Sequence, residues 1–184
     1  MRRASWLITN NHSGLGQLPL RIQSGSFHLF ATENSVTFKW IQSTFSVLID
    51  GYVIPRLDYF NEYIHLKHYD LIVFLLKEHG LDFINYIKGC FSIIVVVDHI
   101  IHIFNDTHSF KKFFYYHQNR QVIVSSDLSF VKEHGKYEID KESVALYCLM
   151  EHHVGGYTLF QNVFYSKAGT HIIVNTNENK LTLD

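Results

Sequence analysis

Thirteen histidines, two cysteines and one pair of adjacent lysines are the groups best suited to chemistry in this chain of 184 residues. Imidazole is a common metal ligand, so His65/His68/Asp70, His99/His102 and His152/His153 invite a test. On a strand His99 and His102 point to opposite faces, and neighbouring His152 and His153 do not easily share an ion. That leaves His65-Leu-Lys-His68 as the one workable pair. The remaining histidines read as surface or helix-end residues, and no metal site is expected. Cys90 and Cys148 lie inside apolar stretches (KGCFSII and ALYCLM) and read as small core residues of a reduced compartment. Lys111-Lys112 reads as the solvated edge of a hairpin. The aromatic run Phe110–Tyr116 beside it reads as core plus a covered face or, if exposed, as a docking surface. Ser5 or Thr9 could serve as a nucleophile only after proteolytic trimming, for which no signal is visible.

The elements that must position these groups belong to an ordinary globular composition. Hydrophobic residues make up 47% and aromatic residues 15%, which favours strands. Sixteen basic residues against 17 acidic ones give a net charge of −1, so no global field gathers nucleic acid or anionic lipid. The amino end, MRRASWLITNN, has no apolar signal core, and no apolar run approaches the roughly 20 residues that span a bilayer. A cytoplasmic protein with neither nucleic-acid nor membrane partners is expected.

Along the chain, Ser5–Thr9, Leu20–Phe30 and Val36–Trp40 read as strands separated by polar turns such as NNHSGLG. Ser46–Ile49 and Tyr52–Ile54 flank Asp50-Gly51, which favours a tight turn. Tyr69–His79 is apolar on most of its circumference and reads as a helix buried between layers, stopped by Gly80. Asp82–Lys88 reads as a shorter helix ended by Gly89, and Phe91–Val97 as a strand covered on both faces. Asp98-His99 turns the chain into Ile100–Phe104. Phe113–Tyr116 and Val122–Ser125 form a hairpin, Ser126 caps a short helix through Lys132, and Asp140 caps a longer one through about Glu151. Val163–Phe164, His171–Asn175 and Lys180–Leu183 close the chain as strands. This order is not a βαβ alternation and suggests sheets stacked between helices.

Several segments, in order, resemble the amino-terminal glutaminase domain of asparagine synthetases, a class II glutamine amidotransferase. LIDGYVIPRLDYF is similar to that family's strand, Asn-Gly, strand and following helix. LIVFLLKEHGLDFINYIKGCFSIIVVVD resembles its helix, glycine and L-x-G-x-F-A strand, with Gly80, Gly89 and Phe91 in place. NDTHSFKKFFYY stands where the family has its Arg-Asp loop before Pro-Leu-Tyr-Tyr, keeping Asp106. VSSDLSFV and GGYTLFQNVFYSKAG resemble the two segments that follow, the latter matching at Thr158, Phe160, Val163 and Gly169. The resemblance runs from about Val47 to the end and implies an α+β fold. That fold is a four-layer αββα sandwich of two antiparallel sheets, like the N-terminal-nucleophile hydrolases, with residues 1–184 as one domain.

In that family a cysteine at position one attacks glutamine's amide, its own α-amino group acts as base, and an Asn side chain with a Gly N–H holds the oxyanion. This chain begins Met1-Arg2-Arg3. Neither Cys90 nor Cys148, each inside an element, offers a free amine. Asp50 stands for the oxyanion Asn, before Gly51, and an ionised carboxylate cannot donate there. His68 stands for the acidic residue that holds the substrate's amino group, with Asp70 two positions on. Arg21 lies too early, and Arg56 too late, to grip the substrate carboxylate. Ser109, Lys112 and Ala168 replace a Gly and two Pro. The degenerate pocket is therefore Asp50, Gly51, His68 and Asp70, and no catalytic residue is assigned.

The resemblance implies a glutaminase-like domain without glutaminase activity, the front half of a larger or split synthetase. Its relatives in lasso peptide and β-lactam synthesis keep such a domain without the cysteine, since an intramolecular amine replaces ammonia. The expected partner is an asparagine synthetase-like ATP-pyrophosphatase domain in the same or another chain. A peptide substrate and weak self-association are further expectations. ATP and magnesium would belong to that synthetase domain alone, because this chain carries no Ser-Gly-Gly-x-Asp-Ser type loop and needs no cofactor of its own. Phe110, Phe114, Tyr157 and Phe164 are the candidate partner surface. Two alternatives stay open: a stand-alone peptide- or protein-binding module, and an active amidotransferase after processing or from a misassigned start. Phe74, Leu75, Phe91, Ile93, Val95 and Val124 are the expected core.

Overall fold

The computed structural model describes residues 6–10, 20–31, 39–41, 45–66, 68–134 and 137–184. In chain order the elements begin with strands β1 (Trp6–Thr9), β2 (Leu20–Ser24), β3 (Phe27–Ala31), β4 (Lys39–Ile41) and β5 (Phe45–Pro55). Helices α1 (Phe60–Tyr63) and α2 (His68–His79) follow, then a 3-10 segment at Gly80–Tyr86. Next come β6 (Ile87–Val97), β7 (Ile100–Asn105), β8 (Phe114–Gln118), β9 (Gln121–Ser125), α3 (Leu128–His134) and α4 (Lys141–Met150). The chain closes on β10 (Val163–Tyr165), β11 (His171–Asn175) and β12 (Lys180–Leu183). Expectations for Ser5, residues 11–16 and residues 36–38 lie outside the described residues.

The strands form two antiparallel six-stranded sheets, ordered β10-β8-β9-β1-β3-β2 and β12-β11-β7-β6-β5-β4. Three apolar clusters show how they stack. The innermost joins Trp6, Ile8, Phe27 and Val124 of the first sheet to Leu48, Ile94, Ile103 and Ile172 of the second. The second lies between the second sheet and α2, and the third between the first sheet and α3. Helix, sheet, sheet and helix make a four-layer αββα sandwich.

The sequence of β6, IKGCFSIIVVV, shows why it lies at the centre. Side chains alternate across a strand, so Phe91, Ile93 and Val95 face α2 while Ile94 and Val96 face the other sheet. With both faces covered, the run is apolar throughout, as expected from its β-branched residues. Leu75, Phe91, Ile93, Val95 and Val124 are all buried.

Five expectations are corrected. Cys148, expected in the core, is exposed on α4, and Cys90 is only partly buried. Asp50-Gly51 does not turn the chain: β5 runs straight through it, paired with β6 from Phe45↔Val97 to Pro55↔Ile87. Gly51 has φ +114°, and a side chain there would collide with the carbonyl oxygen of Cys90, so its glycine serves close backbone approach rather than a turn. Gly89 likewise lies within β6, after a 3-10 segment that ends at Tyr86. Helix α2 is an outer layer: Leu71, Ile72, Leu75 and Leu76 face the sheet, and Phe74 falls on the solvent side at 39% exposure. The first turn of α3 is capped by Asp127, which accepts from the Ser129 amide and hydroxyl, while the Ser126 hydroxyl is used on β1 at Trp6. Asp140 caps α4 as expected, accepting from the amides of Glu142 and Ser143.

Candidate functional site

Asp50, Ser92 and Asn105 form one row across β5, β6 and β7, since Asp50 pairs with Ser92 and Ser92 with Asn105. They share the inward face of the second sheet with Leu48, Ile94 and Ile103, so the dry core between the sheets ends here in a polar band. Each of the three is at least 96% buried, being 4%, 1% and 3% exposed. Buried polar groups require partners, and the loop 106–112 supplies most of them.

Asp106 organises that loop. One carboxylate oxygen accepts from the amides of His108 and Phe110 at 3.0 and 3.1 Å, and the other from the amide of Lys111 at 3.1 Å. Ser109 adopts φ +55°, a left-handed conformation that favours glycine, at the position where the resemblance expects one. The Lys111 carbonyl accepts from the Ser92 hydroxyl, and the Lys111 ammonium reaches Asp50 at 2.8 Å. Asn105 donates to Ser109, Ser166 and the Lys167 carbonyl, while its own carbonyl oxygen is buried and finds no partner among the described residues.

Cys90 lies on the same face of β6 as Ser92, two positions away. Burial first, and then the Asp106 carboxylate, push its thiol above the ordinary range, with Lys111 pulling the other way. A thiol kept protonated is a poor nucleophile. Asp50, tied to Lys111, offers no donor toward an oxyanion.

Of the expected pocket, Asp50 and Gly51 lie together in β5, while His68 and Asp70 open α2, whose first turn holds Asp70 exposed. The side chain of His68 lies outside the described residues. Lys111 was expected at a solvated edge; it lies in the site instead. The signal for it is the isolated Asp50 within the apolar run VLID, because a buried carboxylate requires a cation. Replacing Lys111 by methionine would strand Asp50 without its counter-charge. With the lysine a third exposed, about 2–3 kcal/mol of stability is expected to go. Urea denaturation checks this, and adding Asp50→Asn to the same chain should recover part of the loss.

Of the candidate partner surface, Tyr157 and Phe164 meet at 5.7 Å between ring centres, and Phe164 stacks on Tyr115. Phe114, half-buried, lines a cavity of about 630 Å³ together with Tyr147, His153 and Tyr165. Phe110, 70% exposed, stands on the loop beside His108. Beside these runs α4, in which Ser143 is the one buried residue and Leu149 is 79% exposed.

A second histidine pairing escaped the spacing rules because its members are far apart in sequence. His102 Nδ1 and His171 Nε2 lie 3.1 Å apart, and His171 Nδ1 lies 3.2 Å from the Asp184 carboxylate. Burial, then the charge of His171, lowers His102 from 6.5 to about 4. Burial also lowers His171, opposed by Asp184. The unfolded chain therefore binds more protons than the folded one between about pH 6.5 and 4. Stability is full above 6.5 and is lost as pH falls toward 4, by about 2–3 kcal/mol. Unfolding midpoints taken from pH 7.5 to 4.5 should fall accordingly, and more shallowly in His102→Phe. Among the described residues no three His, Cys, Asp or Glu side chains gather as a metal site, and no helix is long and apolar enough to cross a membrane.

No protein-family model matches the chain, and no curated protein matches it. Among solved structures it is similar to the allosteric regulatory enzyme of purine biosynthesis, with 8% identity and a TM-score of 0.49. It is also similar to glutamine phosphoribosylpyrophosphate amidotransferase from B. subtilis complexed with ADP and GMP, with 8% identity and a TM-score of 0.45. In both cases 98% of this chain is covered, against 42% of the other chain. The chain spans less than half the length of either.

Proposed function

We propose that this chain is a catalytically silent glutaminase-like domain that docks onto an ATP-dependent, asparagine synthetase-like amide-forming domain, in the same chain or another, in the cytoplasm. The observation that carries this reading is the ion pair of Asp50 and Lys111. Where the resemblance expects a neutral oxyanion donor, a buried carboxylate is paired with a lysine. Preorganised donors supply much of the rate enhancement in such acyl transfers, and here that place is filled. ATP and magnesium belong to the partner domain in this reading.

The docking half is supported by the surface around α4. Leu146, Leu149, Met150 and Tyr157 are all exposed, an apolar surface of the kind that marks an interaction face. Interface cores favour aromatic residues and methionine and exclude charge. Amide-bond formation with an intramolecular amine needs no ammonia, so such a domain is retained for positioning.

The test has two arms. Ammonia release from glutamine should stay at background, and an asparagine synthetase-type ATP-pyrophosphatase domain should bind the chain in calorimetry. Leu149→Asp and Tyr157→Asp should abolish that binding, and any weak self-association, with the circular dichroism unchanged. Glutamine turnover lost in Cys90→Ser would overturn the silent half. Binding to a peptide but not to the synthetase domain would overturn the docking half in favour of a peptide-binding module.

A further inference from the structure

At the ends of β6, β7 and β11 a cavity of about 470 Å³ opens, reaching from Phe91 and Phe104 to Asn105 at the end of the Asp50 row. Phe91 and Phe104 line it, and the His171 ring lies flat on Phe104 with centres 4.1 Å apart and planes 12° from parallel. Both ring nitrogens of His171 are already engaged, one by His102 and one by Asp184. What His171 presents to a ligand is therefore the flat face of its ring.

Two cations, Arg56 and Lys88, line the same cavity together with His108, and among the described residues no carboxylate does. Among the described residues the Arg56 guanidinium is held there by one bond, from Nη1 to the Asn85 carbonyl at 3.3 Å. A guanidinium carries five N–H donors, so most remain for a ligand. Among the described residues neither Arg56 nor Lys88 has an ion-pair partner. Asp58 and Asp82, the nearest carboxylates to them along the chain, form no ion pair with either among the described residues. Asp106 is committed to three backbone amides, and Asp184 to His171. The shape of the cavity is built into the backbone: Gly89, at φ +148°, leaves no room for a side chain against the Tyr52 carbonyl.

We infer that this cavity is a binding site for a small organic anion with a flat apolar body. The flat part lies on the Phe104–His171 stack, and its carboxylate or phosphate is held by Arg56. Guanidinium groups bind both oxyanions in a forked, charge-assisted arrangement, and apolar cavities with few, well-placed polar groups are the usual form of small-molecule sites. The cavity shares no lining residue with the apolar surface around α4, so this inference and the docking proposal fail separately.

The experiment titrates the isotope-labelled full chain with benzoate, phenyl phosphate and the neutral benzyl alcohol, following backbone amides by NMR. At least one of the two anions should bind, shifting the amides of Gly89, Thr107 and Thr170, and benzyl alcohol should bind at least tenfold more weakly. Whichever anion binds more tightly identifies a carboxylate or a phosphate site. Arg56→Gln should weaken binding about tenfold, as loss of one charge-assisted contact does, with an unchanged unfolding midpoint. If benzyl alcohol binds as tightly, if Arg56→Gln binds normally, if the shifts fall elsewhere, or if neither anion binds, the inference is overturned. Should Arg56→Gln unfold, Lys88→Gln with the same readout replaces it.

Discussion

Phe91→Ala is expected to lower the stability of the fold by about 3–5 kcal/mol, the cost of emptying an aromatic site in a close-packed layer. The ring is 3% exposed and belongs to the cluster between α2 and the second sheet, with Ile49, Leu75 and Phe104. Its position favours the upper part of that range. Directly opposite on β5 is Gly51, and paired positions share a face, so no neighbouring side chain can swing across to fill the space. The denaturant midpoint should fall with its slope unchanged, and Phe91→Leu should recover much of the difference. An alanine variant with an unaltered midpoint would remove Phe91 from the core.

Gly51→Ala should cost a similar amount by another route. At φ +114° an L side chain is strained, and the new methyl would press on the Cys90 carbonyl oxygen. Left-handed strain contributes about 1–3 kcal/mol and forced overpacking about 1–3 more. The strand pair cannot give way locally, because β5 and β6 are in register on both sides of the contact. Alongside the drop in midpoint, amide exchange along β5 from Asp50 to Val53 should quicken. A Gly51→Ala chain with wild-type stability and exchange would mean that the strands do not approach here as described.

How far these features can be read in advance depends on their range in the sequence. Gly80 at φ +58°, the Asp140 cap, the Asp98-His99 turn and the three closing strands are local, each dictated by its neighbours, and each stands where its residues imply. The β-branched run of β6 likewise told of two covered faces. Asp50-Gly51 misled because the dipeptide that suits a hairpin turn also suits a close strand crossing, and only β6, beyond α2, decides between them. Phe74 misled because four other apolar residues on α2 sufficed to cover the sheet. In the candidate site, Asp50 and Gly51 were legible as a departure from a glutaminase. Lys111 was not, since its partner lies 61 positions away. His102 and His171, 69 positions apart, meet through the register of β7 with β11, which no spacing rule contains.

The place of β1 in the first sheet has a consequence for how the chain reaches this fold. β2 with β3, and β8 with β9, are hairpins whose strands find each other locally, whereas β1 is wedged between the two pairs. The Ser125 hydroxyl bonds the Trp6 carbonyl across 119 positions. During synthesis β1 leaves the ribosome first and cannot complete its pairing until β9 has followed. Contacts of such long range form slowly because the loop between them must be closed first. Until then β3 and β9 each carry an open edge, able to pair with another chain. The four residues Trp6–Thr9 thus act as a late-closing seam, and the time before they close sets the interval in which this protein is most prone to aggregate.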